Sequence, residues 1–157
     1  MINYLLADPA DIDSVLTLQA KHLASNLTEE EKRQGFVTTP FTETQLLEII
    51  AQRGLFIAKD DHQLFSYLFA GNWRYFSQWK IFTYMISRFP QLSFKGLEIT
   101  TENSFQYGPV CIDHAYRSKG HFNQLFEKMR LEFVKTYPIS ITFINQVNEI
   151  STAAHTR

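Results

Sequence analysis

The sequence predicts a mixed α/β fold, α+β in arrangement, and three observations predict it. Capping signals followed by apolar periodicity recur at Asp8-Pro9, Thr28 to Glu31 and Thr42 to Gln45, each announcing a helix. Between Gly54 and Gly71 the pattern changes to two short apolar runs around a polar turn, as in a hairpin. Further on, YGPVCIDHAYRSKGHFNQLFEKM leads an apolar strand through a one-glycine turn into an amphipathic helix.

The elements follow in order. Ile2 to Ala7 is apolar and short enough for a strand, and Asp8 with Pro9 starts a helix carrying Ile12, Val15 and Leu16 to about Leu23. Thr28-Glu-Glu-Glu31 is a capping box for a short second helix. Thr42-Glu-Thr-Gln45 is another, for a helix over about 43 to 52 that ends at Gly54. LFIAK and QLFSYLFAG read as antiparallel strands near 55 to 59 and 63 to 71. Tyr75, Trp79, Phe82, Ile86 and Phe89 recur at helical spacing until Pro90, which predicts one aromatic helix, serving as core, as a wall of a binding site or as a dimer surface. A strand near 105 to 113, a helix from about 118 to 136, a strand from 139 to 146 and a helix from Asn148 complete the chain.

A length of 157 residues with 45% apolar residues suits a single domain over 1–157 without disulfides or metals. A formal charge of −1 supplies no general attraction to nucleic acid or anionic lipid. Cys111 is the single cysteine, and MINYLLADPADID lacks the basic start and apolar stretch of a signal peptide, so a reducing cytoplasm is expected. No apolar run reaches the roughly 18 residues that cross a bilayer, so no membrane partner is expected. His22, His62, His114, His121 and His155 show no paired ligand spacing, and no metal is expected.

The glycine turn carries the main functional signal. Free N–H groups at a helix start suit a phosphate, Gly120 permits close backbone approach, and Arg117 and Lys119 add charge. Gly120 is also simply a residue that turns allow. Arg117-Ser118-Lys119-Gly120-His121-Phe122 resembles the cofactor motif of the GNAT superfamily of N-acetyltransferases, Arg/Gln-x-x-Gly-x-Gly/Ala, at its first four positions. Phe122 stands where a small residue is usual, so reduced affinity is expected. The preceding Tyr107 to Asp113 resembles the family's central strand, which implies that backbone groups of Val110, Cys111 and Ile112 meet the pantetheine arm. A second stretch, Asn148 to His155, is similar to the family's Asn-x-x-Ala/Ser-x-x-x-Tyr/His pattern. The resemblance implies that Asn148 and Ser151 contact the cofactor and that His155 lies near the sulfur.

The resemblance further implies a GNAT-like mixed, mainly antiparallel sheet flanked by helices, with the strands near 105 to 113 and 139 to 146 splayed to admit acetyl-CoA. The implied activity is acetyl transfer to a primary amine of a small molecule or peptide by direct attack in a ternary complex. The family pattern continues beyond the position of Arg157 into further strands, so a shortened sheet, or one completed in a homodimer, is expected. A rival of another class is a CoA-binding or protein-interaction module with little turnover.

Acyl transfer needs a neutral amine, yet alkylamines titrate near the lysine value of about 10.4, so a base or water chain is required. Glu98 and Glu102, just before the central strand, are candidate bases, with solvated loop acids as the plainer reading. His155 is the candidate acid, or a histidine at a helix end. The backbone N–H of Cys111 or Ile112 is the candidate oxyanion donor. Asp113 reads as a residue that orders the turn. The Cys111 side chain reads as a buried apolar group rather than a nucleophile.

Overall fold

In the computed structural model the described residues are 1–33, 36–37 and 39–142. Five strands form the main sheet in the order β1-β2-β3-β6-β7. They are β1 (Ile2–Leu6), β2 (Leu55–Asp60), β3 (Gln63–Gly71), β6 (Ser104–Ile112) and β7 (Ile139–Ile141). The first three junctions are antiparallel and β6 pairs with β7 in parallel, so the mixed, mainly antiparallel sheet is present.

The helices start where the sequence places its caps. Asp8 accepts from the Ala10 N–H and exchanges a capping box with Asp11, leading into α1 (Ile12–His22). Thr28 and Thr42 form the same box with Glu31 and Gln45, opening α2 (Glu29–Lys32) and α3 (Glu43–Ala51). Such a cap contributes about 1 kcal/mol by satisfying N–H groups that a helix start leaves unpaired.

The aromatic segment departs from expectation. It breaks into α4 (Trp73–Phe76) and α5 (Lys80–Ser87) instead of continuing as one helix. Ser77 Oγ and Gln78 Nε2 donate to the carbonyls of Arg74 and Tyr75 and close the first helix. Trp79 then takes an extended conformation, φ −109° and ψ 135°, which sets its indole against Phe41, Phe76 and Phe82. Most of the stripe is core, since Tyr75, Phe82 and Phe89 are buried. After it comes a two-stranded ribbon that the periodicity does not announce, β4 (Ser93–Phe94) and β5 (Leu97–Glu98), turned by Lys95 and Gly96 at φ 50° and 80°.

Two apolar clusters hold the layers. One joins Val15, Leu18, Leu46, Ile49, Phe76 and Phe82 of the helices to Ile57, Tyr67 and Phe69 of the sheet. The other seats α6 (His121–Phe133) through Leu125 and Met129 on Phe56, Leu68, Ala70 and Phe105. Each such fully buried side chain contributes about 1.5–3 kcal/mol, which fixes the start of α6 at the end of β6.

Candidate functional site

The site is built on the C-terminal half of β6. Leu68 pairs with Val110 and Ala70 with Tyr107, so Gly108 and Pro109 together oppose Phe69, a bulge in which Gly108 has φ 104°. A bulge bends its strand and disturbs the ladder. On the other edge, β6 pairs with β7 at Ser104, Phe105 and Gln106. Among the described residues, no strand pairs with that edge from Gly108 to Ile112.

Ladder phase decides which groups face that edge. The Asp113 N–H donates to the Phe65 carbonyl at 2.9 Å, and the register opposes Tyr67 to Cys111 and Ser66 to Ile112. Hydrogen-bonded and non-bonded pairs alternate along an antiparallel ladder, so the Cys111 backbone faces Tyr67 while Val110 and Ile112 face the other edge. The Ile112 carbonyl confirms the phase, because it accepts from Arg117 Nε at 2.9 Å. Of the three expected backbone contacts, Cys111 is therefore corrected: its N–H and carbonyl are turned to β3, and Ser66 Oγ also donates to that carbonyl at 2.8 Å. Burial pushes the Cys111 thiol up to about 12, which removes it as a nucleophile near neutrality.

Beyond Ile112 the chain makes one turn of 3-10 helix, His114–Tyr116, and then the glycine turn. Ser118 and Gly120 both have positive φ, 62° and 83°, with Lys119 between them. Ser118, Lys119 and Gly120 are exposed, and a Cβ built on Gly120 would meet nothing within 4 Å. Gly120 is the N-cap of α6, and the first intrahelical bond runs from the Gln124 N–H to the Gly120 carbonyl. The N–H groups at a helix start point along the axis, out of the helix, and the helix dipole adds partial positive charge there. Open space over a glycine, at a helix start and beside Val110 and Ile112, fits an extended ligand that ends in phosphates.

Arg117 is not poised over this turn. Its guanidinium is turned back beneath it, with Nε on the Ile112 carbonyl and a terminal nitrogen 3.4 Å from His22 Nδ1. Asp113 orders the turn as expected, accepting from the His114 N–H at 3.0 Å. It also takes Lys21 Nζ at 2.8 Å and His22 Nε2 at 3.1 Å, both from the end of α1. Burial opposes the Asp113 charge, but the bonds from Lys21 and His22 outweigh it and hold the carboxyl below its usual range. Burial pulls His22 below the usual imidazole range despite its bond to Asp113.

His121 is turned inward. Its ring is 7% exposed, lies edge-on to Phe65, and holds the Tyr4 hydroxyl at 2.6 Å through Nδ1, so only its backbone N–H faces the turn. Phe122 rests on Phe126 one turn along α6.

The candidate bases Glu98 and Glu102 lie away from the glycine turn. Both are exposed, on the β5 ribbon and in the turn before Ser104, at the end of β6 opposite the glycine turn. At about 3.3 Å per residue, the strand separates those ends by roughly 26 Å. Asn148, Ser151 and His155 lie outside the described residues. Gln106, buried where β7 pairing ends, donates through Nε2 to the Tyr107 carbonyl at 2.7 Å, while its Oε1 has no partner among the described residues. Among the described residues there is no metal-ligand cluster and no helix long and apolar enough to cross a membrane.

Sequence reasoning missed Lys21 and His22. Adjacent basic residues in the last turn of a helix are an ordinary dipole pairing, and nothing local links them to Asp113, 91 residues from His22.

No family model matches the chain, and no curated protein matches it. Solved structures do. The chain follows the GCN5-related N-acetyltransferase from Kribbella flavida over 98% of its own length at TM-score 0.60 and 11% identity, and spans 32% of that longer chain. It follows yncA from Salmonella typhimurium, solved with its cofactor acetyl-CoA, at TM-score 0.61 and 13% identity, covering 98% of this chain and 76% of the other. For AAC(6')-Iy with the bisubstrate analogue CoA-S-monomethyl-acetylneamine the TM-score is 0.63 at 13% identity, with coverages of 99% and 87%. Identities this low carry the architecture and leave the chemistry to the residues. The mixed, mainly antiparallel sheet flanked by helices is thus the fold seen in the GCN5-related N-acetyltransferases.

Proposed function

We propose that this single domain is an acetyl-CoA-dependent N-acetyltransferase acting on a primary amine of a small molecule. One observation carries the reading: Ser118 to Gly120 form an exposed turn with two positive-φ residues at the N-terminus of α6, following the outward-facing backbone of Val110 and Ile112. The acetyl-CoA of yncA and the CoA-linked acetylneamine of AAC(6')-Iy support the ligand class.

Bound acetyl-CoA would supply an activated acyl group and a thiolate leaving group. The chain supplies the rest. Backbone N–H groups of Gly120 and His121, with the Lys119 charge, hold the pyrophosphate. Val110 and Ile112 pair with the pantetheine amides, and the N–H of one of them faces the developing oxyanion. Asn148 and Ser151 extend the coenzyme contacts, and His155 is the proton donor for the departing sulfur. A cytoplasmic location suits the free, buried Cys111 thiol.

Thiol release from acetyl-CoA, measured across a panel of small and peptidyl amines including aminoglycosides, tests this reading. Amine-dependent release is expected with at least one small amine. Coenzyme binding without release on any amine would leave a CoA-binding module in place of an enzyme.

A further inference from the structure

We infer that His22 is a positioning residue for the coenzyme turn: it ties Arg117 and Asp113 together and thereby sets the angle at which β6 delivers the turn to α6. This rests on the proposed coenzyme site.

Four contacts make the case. His22 is 2% exposed at the end of α1, and its backbone is fixed from the other side, because the Val37 N–H donates to the His22 carbonyl at 2.9 Å. Nε2 lies 3.1 Å from Asp113 Oδ1, and Nδ1 lies 3.4 Å from an Arg117 terminal nitrogen. Arg117 in turn holds the Ile112 carbonyl through Nε at 2.9 Å. One imidazole therefore stands between both ends of the loop that leads to Ser118 and Gly120.

The partners also dictate the tautomer. A carboxylate only accepts and a guanidinium only donates, so Nε2 must carry the proton and Nδ1 must accept. A second proton on Nδ1 would point N–H at the Arg117 cation and release it from the ring. Among the described residues, the titratable and charged groups facing His22 are Lys21 on its own helix and Asp113, His114 and Arg117 on the turn, with the His114 ring 5.2 Å away. Val37, bonded to the His22 carbonyl, is apolar. Burial lowers the affinity of His22 for that second proton, which keeps the tie made at neutral pH.

The test follows Arg117 and CoA binding together on the whole chain. Imidazole nitrogen shifts of the wild-type protein near pH 8 should report the Nε2–H tautomer, and an Nδ1–H tautomer would overturn the proposal. The Arg117 Nε–H signal should be protected near pH 8 and should move to the position of an unbonded guanidinium on acidification toward about pH 5.5. His22→Gln, which keeps a donor for Asp113 but cannot take a proton, should retain that signal in acid. His114→Gln should behave as wild type. Calorimetry with CoA should show wild-type affinity falling about fivefold more than that of His22→Gln over the same range. Parallel profiles, or a step that follows His114, would overturn the role of His22. If the wild-type protein binds no CoA near pH 8, the coenzyme reading fails, and the Arg117 signal alone still decides whether His22 holds the turn.

Discussion

Arg117 Nε donates to the Ile112 carbonyl at 2.9 Å, so the one arginine of the glycine turn closes the loop from beneath and does not reach over its mouth. Arg117→Lys keeps a cation but loses the planar fork that reaches Ile112 and His22 together. CoA affinity should fall about tenfold, as expected for losing a charged hydrogen bond of about 1.5 kcal/mol. Calorimetry on the two proteins checks this; equal affinity would mean that charge alone matters at Arg117.

Tyr4 and His121 form the second brace of α6, 2.6 Å apart and away from the turn's open side. Tyr4→Phe leaves His121 Nδ1 buried without its partner, a cost of about 1 kcal/mol. The melting temperature should drop by about 2–4 °C. CoA affinity should change less than about threefold, because the backbone N–H of His121 is untouched.

The Tyr67 hydroxyl is fully buried beside the Cys111 thiol, has no nitrogen or oxygen partner among the described residues, and is pushed by burial well above the usual phenol range. Removing an unpaired buried hydroxyl while keeping the ring is neutral or stabilising. Tyr67→Phe should therefore melt at the same temperature or higher. A loss of about 1 kcal/mol would show that the hydroxyl has a bonding role in the folded protein.

Acid should destabilise the fold through its histidines. Loss of hydration is the first cause that holds His22, His114 and His121 below the usual imidazole value of about 6.5. Because each folded-state value lies below the unfolded one, the unfolded chain binds more protons as pH drops past that point. Stability is then full above about pH 6.5 and declines as pH falls through the folded values. Thermal melts between about pH 8 and 5 should show this decline, and His22→Gln should make it shallower. A flat profile across that range would contradict burial of the neutral imidazoles.

What the sequence disclosed follows from how local each signal is. The caps at Asp8, Thr28 and Thr42 were legible because donor and acceptor lie within three residues, and each bond is present. The glycine turn was legible for the same reason. The break between α4 and α5 was not, since apolar spacing runs through Ser77 to Trp79 while their side chains close one helix and start another. The β4–β5 ribbon escaped because each strand is two residues long, too short for alternation to register. The roles of Cys111, Arg117 and His121 changed for a different reason: ladder phase and packing decide where a group points, and neither is written in spacing.

The central claim is that the Ser118 to Phe122 turn holds the coenzyme pyrophosphate, and calorimetric titration of CoA into the wild-type protein and Gly120→Val tests it most directly. Gly120 has φ 83° and open space where a side chain would stand, so valine both strains the turn and fills the ligand's place. Saturable wild-type binding, weakened about tenfold or more in a variant that still folds, is the expected result. Equal affinity in the two proteins would contradict the claim, and so would the absence of wild-type binding at about millimolar CoA.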